Sequence, residues 1–176
     1  AHADLLREQQ GQRRPEQRMH TTVVALWVHP SLEQALWTHV GDSRLYRVRH
    51  GQGELLTQDD SVVQHMVRSG MLSEEQGRAH PQKNHLLAAL GIDGDITPHT
   101  VVRPVEVMEG DAFVLTSDGW WDSFEPHDIA AALPVAGDAQ VHRRIQDALQ
   151  FQLAVLLLAL ARKQIRGFLV GVTEGF

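Results

Sequence analysis

Three aspartates stand where their type and spacing could do chemistry. Asp42 lies in Gly41-Asp42-Ser43 between two apolar segments. Asp118 and Asp122 lie in Thr116-Ser117-Asp118-Gly119-Trp120-Trp121-Asp122, directly after the apolar run Ala112 to Thr116. Carboxylates at the ends of core strands are held rigidly and can converge on a hard cation such as magnesium or manganese. Such ions activate water and clamp phosphoryl oxygens. The same short motifs are also ordinary turn chemistry. Eleven histidines invite another metal reading. They are scattered, however, and form no His-Glu-x-x-His pair; His127 before Asp128 and His80 before Pro81 read as surface or packed imidazoles. No G-x-S-x-G elbow anchors a serine triad, and no glycine loop ends in Lys-Ser or Lys-Thr to cradle a phosphate. The residues therefore single out no nucleophile or general acid and no organic-cofactor site.

Composition narrows the classes further. The 176 residues are 43% hydrophobic and 22% charged, the balance of one globular domain with a sizeable core. A net charge of −6 leaves no footprint for a nucleic-acid partner. The absence of cysteine excludes disulfide scaffolds, cysteine-held zinc and thiol catalysis. Ala1 to Arg18 is polar and arginine-rich, unlike a secretory signal. The longest apolar run, Leu153 to Ala161, has nine residues, about half of the ~20 that span a bilayer, and reads as a buried helix. No membrane partner and a cytoplasmic location are the expectations. The chain opens on Ala1 in what reads as mid-helix, so a fragment is expected.

The elements that must position the aspartates follow from the apolar pattern. Leu5 to Arg18 reads as the tail of a helix and a loop broken at Gly11 and Pro15. Thr21 to Val28, Ala35 to Val40, Arg44 to Arg49 and Glu54 to Thr57 read as strands, with Gly41-Asp42-Ser43 the tip of a hairpin. Ser61 caps a helix through Val67 that stops before Gly70, and Ser73 with Gln76 forms a capping box for another. Asn84 to Leu90 is a further apolar stretch in this helical middle. Strands return at Thr100 to Val102 and Ala112 to Thr116. Helices are expected from Pro126 to Leu133 and from Asp138 through Leu153, with a last strand at Phe168 to Thr173. Antiparallel strands with segregated helices make an α+β layered domain.

Taken in order, these segments resemble the metal-dependent serine/threonine protein phosphatases of the phosphatase 2C type, in their bacterial form. Met19 to Val24 is similar to that family's Gly-Thr-Thr strand, Gly41 to Tyr46 to its GDSR-Y motif, and Thr57 to Ser61 to its T-x-D-H-S. Gly70 to Gly91 resembles its flap, and Leu115 to Asp122 its SDG-x-W-D element. The resemblance covers Met19 to Leu133. It implies a single domain over residues 1–176, incomplete at the N-terminus, of two stacked antiparallel β-sheets flanked by helices, with a flap subdomain near 60–91. It implies hydrolysis of phosphoserine and phosphothreonine by a metal-activated water, on proteins phosphorylated by a cognate serine/threonine kinase. Two core Mg2+ or Mn2+ ions are implied, with a third held more weakly. Asp118 matches a ligand of one core ion; Asp42 and Asp122 match the pair that completes the third site with it. Trp120 and Trp121 read either as walls of the substrate approach or as core.

Three features of the family are missing. An early phosphate-gripping arginine and a D-G-x-x-G-H element, with its metal-bridging aspartate and its histidine acid, have no counterpart and would lie upstream of Ala1. A late Asp-Asn pair is replaced by Arg162 to Phe168, whose cationic side chains would repel metal. One core carboxylate out of three holds an ion weakly, so this 176-residue chain is expected to show little or no turnover. The alternative is a degenerate pseudophosphatase whose flap and acidic cleft bind a partner.

Overall fold

The computed structural model describes residues 1–10, 18–132, 156–159 and 168–174. Within them two antiparallel sheets form. The first is centred on β1 (Thr21–His29), an apolar β-branched run flanked by β2 (Gln34–Val40) on one side and β9 (Phe168–Glu174) on the other. Two short strands, β5 (His99–Thr100) and β6 (Val105–Glu106), pair with the outer edge of β2. The second sheet runs β4 (Gln52–Leu55), β3 (Arg44–Arg49), β7 (Ala112–Thr116), β8 (Leu156–Ala159).

Alternation decides how the sheets stack. Val24, Leu26 and Val28 on β1 and Ala35 and Trp37 on β2 share one face, because side chains two apart point the same way. They meet Leu45, Phe113 and Leu115 of the second sheet in a buried cluster. The opposite face of the second sheet carries Tyr46, Val48 and Val114, which pack against Ile129 and Ala130 of helix α5 (Pro126–Ala132). Sheet, sheet and helix thus lie in layers. Helix α1 (His2–Gln9) is tied to Gly91 and Gly94 through the His2 ring, which accepts from Gly91 N–H, and to Met19 and Gly91 through the Gln9 amide, which donates to their backbone oxygens.

Residues 60–91 hold helices α2 (Val62–Arg68) and α3 (Glu74–Arg78). Ser61 Oγ accepts from Gln64 N–H, and Ser73 and Gln76 form the reciprocal capping box that the sequence predicts. Asn84 to Leu90 forms no helix. The segment is irregular, with Leu86 bridged to Ser61 and Leu90 to Thr21, which ties this excursion to the first sheet.

Two further expectations are corrected. β2 and β3 do not pair as a hairpin: they belong to different sheets, and Gly41 to Ser43 is a corner between layers. The apolar run after Leu153 is not helical where it is described: Leu156–Ala159 pairs with β7 as β8. A short continuous apolar run suits a buried strand as well as a buried helix, so periodicity alone could not separate them. The helix expected from Asp138, and Arg162 to Gly167, lie outside the described residues.

Candidate functional site

The register of β3 against β7 brings the key aspartates together. Arg44 pairs with Thr116 at the sheet end. Two residues beyond Thr116 comes Asp118, and two before Arg44 comes Asp42, so both strands leave the sheet with an aspartate at the same end. Asp42 is buried and Asp118 half-buried.

The corner carrying Asp42 is tightly built. Gly41 has a φ of +98°, and a Cβ there would stand 2.4 Å from Thr22 Cγ2, so only glycine fits. The hydroxyls of Thr22 and Ser43 lie 2.7 Å apart and join the two layers. Asp60 clasps the corner from the other side: its Oδ2 accepts from Gly41 N–H at 2.9 Å, and its own N–H donates to Gly41 O at 3.0 Å.

Asp118 opens α4 (Asp118–Trp121), a single turn that follows β7 directly. Its Oδ1 accepts from Gly119 N–H at 2.8 Å. Trp121, on the same turn, donates its indole N–H to the backbone oxygen of Asp42 at 2.9 Å. Its ring also covers the Arg44 guanidinium, whose central carbon is 3.4 Å from the ring centroid. Arg44 in turn forks onto Asp59, with Nε to Oδ1 at 3.0 Å and Nη2 to Oδ2 at 2.7 Å, and donates to Tyr46 Oη at 3.2 Å. Bidentate geometry and a stacked indole are what a guanidinium provides and an ammonium does not. Trp120 stacks on Phe124 with centroids 4.5 Å apart, and both tryptophans pack against the apolar layer beneath α5.

Electrostatics mark Asp42. Burial, then the nearby charges of Asp118 and Asp59, push its carboxyl up from the usual 3.8 to about 7, against a smaller opposing pull from Arg44. Two coupled carboxylates, one of them buried, are the donor chemistry of a hard divalent cation, which takes one or two protein carboxylates and completes its shell with water or phosphate oxygens. Asp42 and Asp118 fit such an ion. Asp122 points elsewhere, its Oδ2 2.5 Å from Lys83 Nζ. Among the described residues no three histidines or carboxylates gather as a ligand set.

Beside this corner lies a cleft of about 610 Å³, walled by Arg44, Tyr46, Asp59, Trp121, Phe124 and Arg78 among others. Arg78 of α3 and Glu125, both on its wall, form an ion pair. The motifs at Gly41 to Tyr46 and Thr57 to Ser61 contain Arg44, Asp59 and Asp60, but the sequence assigns these three no role. Alternation along β3 puts Arg44 and Tyr46 on one strand face, but no local signal reaches Asp59 and Asp60, which lie outside the strands.

No protein-family model matches the chain. A Streptococcus pyogenes protein named as a phosphatase of the 2C type is 35% identical over 123 residues, 70% of this chain and 48% of that protein. The serine/threonine phosphatase of S. agalactiae shares the fold with a TM-score of 0.74 at 26% identity, over 90% of this chain and 66% of that one. A catalytic domain of the phosphatase PstP, solved in complex with two manganese ions, superposes with a TM-score of 0.64 at 24% identity, over 98% of this chain and 67% of that one. The chain spans about half the length of the S. pyogenes relative, and less of several others. In the order of its motifs, in its two-sheet fold and in these likenesses, the chain is similar to the bacterial protein phosphatases of the 2C type.

Proposed function

We propose that the protein carrying this chain hydrolyses phosphoserine and phosphothreonine on other proteins, with Mg2+ or Mn2+ as its cofactor. The observation that supports it most is the Asp42 and Asp118 pair at adjoining strand ends, with Asp42 raised by its burial and then by the neighbouring charge of Asp118. When bound, a divalent ion there would supply a nucleophilic water and a clamp for phosphoryl oxygens. Asp118 and Asp42 would hold it. Asp122 joins them only by leaving Lys83, which an i,i+4 position on the same turn as Asp118 permits. Trp121 and Arg44 fix the backbone of Asp42 and the wall of the adjacent cleft, while residues 60–91 act as a flap beside it. The names of the relatives favour this reading over a binding module. Substrates would be the targets of a serine/threonine kinase, and the compartment the cytoplasm. Among the described residues, no helix is long and apolar enough to cross a membrane.

Phosphate release from phosphoserine and phosphothreonine peptides by the full natural protein tests this. Turnover that needs Mn2+ or Mg2+, stops with EDTA and is lost in Asp118→Asn is expected. Turnover that survives either treatment would overturn the assignment.

A further inference from the structure

Asp60 occupies a position that neither the motif order nor the proposed chemistry explains. Its carboxylate does not reach Asp42, and the charges that bear on the Asp42 carboxyl are those of Asp118, Asp59 and Arg44. It reaches Gly41, the residue before Asp42, instead. One oxygen accepts from Gly41 N–H, and the Asp60 N–H closes the loop onto Gly41 O. The backbone oxygen of Asp60 accepts from Leu87 N–H at 2.7 Å, so the same residue also anchors residues 60–91.

The remaining oxygen of Asp60 has its own partner. His99 Nε2 lies 2.6 Å from Oδ1. His99 is one of the two residues of β5, and its register sets it directly opposite His39 on β2. The two rings stack with centroids 4.8 Å apart and planes 16° from parallel. His39 is itself buried, with Nε2 2.9 Å from Gln58 O. Both sides of the Asp60 carboxylate are therefore fixed, one by the corner and one by an imidazole whose ring cannot tilt freely. Such outer partners set the orientation of a metal-binding carboxylate although they never touch the ion.

We propose that Asp60, oriented by His99, is a positioning residue for the Asp42 carboxylate and acts through its hold on Gly41 N–H. The proposal rests on the reading of Asp42 as a cation ligand. Gly41 cannot be held by a side chain of its own, and its N–H sits in a corner where an unpaired donor would be costly. Without the Asp60 carboxylate that donor loses its partner, and the corner carrying Asp42 keeps from residue 60 only the bond of its N–H to Gly41 O.

The test is calorimetric titration of the 176-residue chain with Mn2+ alone, with thermal unfolding measured on each variant. Asp42→Asn comes first and must weaken Mn2+ binding; if it does not, the reading of Asp42 fails and the proposal with it. Asp60→Ala is then expected to weaken binding by about 10- to 100-fold, the usual loss on removing an outer partner. Asp60→Asn keeps an acceptor for Gly41 and a polar contact for His99, and is expected to bind near wild type. His99→Phe keeps the stack on His39 but not the bond to Asp60, and is expected to weaken binding with little change in melting temperature. Asp60→Ala that melts earlier yet binds Mn2+ as wild type does, while Asp42→Asn does not, would show a merely structural role. Asp60→Asn as weak as Asp60→Ala would overturn the route through the peptide. Should Asp60→Ala fail to fold, His99→Phe decides, and unchanged Mn2+ binding there overturns the proposal.

Discussion

Ionising Asp42 inside the fold is harder than ionising it in the unfolded chain, where its carboxyl titrates near 3.8; in the fold, burial first and then Asp118 and Asp59 raise that to about 7. Between those values the folded state holds a proton that the unfolded state has lost, so this group's contribution to stability falls as pH rises and is gone above 7. Asp42→Asn removes the difference. Its melting temperature at pH 8 is expected to exceed that of the metal-free wild type by about 2–4 °C for each kcal/mol recovered, and to match it near pH 4. A gap that grows instead toward low pH would contradict the assignment of the shift to Asp42. Arg44 is the opposite case, a half-buried cation held by Asp59 and Trp121. Arg44→Ala strands a carboxylate that is 4% exposed and is expected to cost about 3 kcal/mol in urea unfolding, the lower end for a broken buried pair, since Arg44 keeps some contact with water. Arg44→Lys is expected to restore little of it, because an ammonium neither forks nor stacks. Asp42 and Asp118 were legible as candidates because a strand pattern precedes each turn. Asp60 and His99 were not: they are 39 residues apart, and nothing local announces that β5 will lie against β2.

At the scale of elements, the corner at Gly41 is the decisive joint. The sequence read it as a hairpin tip, since a Gly-Asp-Ser between two alternating strands fits one. Local pattern specifies a reversal but not which sheet the next strand joins; that depends on Leu45 packing across the layers against β1 and β2, a long-range contact. Gly41→Ala is expected to be among the more damaging small substitutions. Its methyl would meet Thr22 at 2.4 Å, in a backbone region that costs a non-glycine residue about 1–3 kcal/mol. Circular dichroism melts would show it, and a melting temperature equal to wild type would mean that the corner is looser than described. The caps at Ser61 and Ser73 were legible because capping is chemistry within four residues. β8 was misread for the converse reason: Leu-Leu-Leu-Ala carries no period, and its partner β7 lies more than forty residues upstream.

For the whole molecule, the layered α+β architecture was legible from the count and alternation of strands, while the division into two sheets came through the resemblance. The charge pattern of the site was visible only in part, since burial and coupling appear once the strand ends adjoin. One consequence is kinetic. With two coupled carboxylates and no third ligand among the described residues, the 176-residue chain is expected to release little or no phosphate from a phosphothreonine peptide in Mn2+. Manganese-dependent turnover by this chain, abolished in Asp118→Asn, would contradict that. The central claim is more direct, that Asp42 and Asp118 jointly hold a divalent ion. Electron paramagnetic resonance of free Mn2+ measures it on the wild type, on Asp42→Asn, on Asp118→Asn and on the double variant. The account predicts that each single change weakens binding about tenfold or more, that the double variant is scarcely worse than the weaker single one, and that wild-type affinity climbs as pH passes through 7. Binding that is unchanged in both single variants would contradict it.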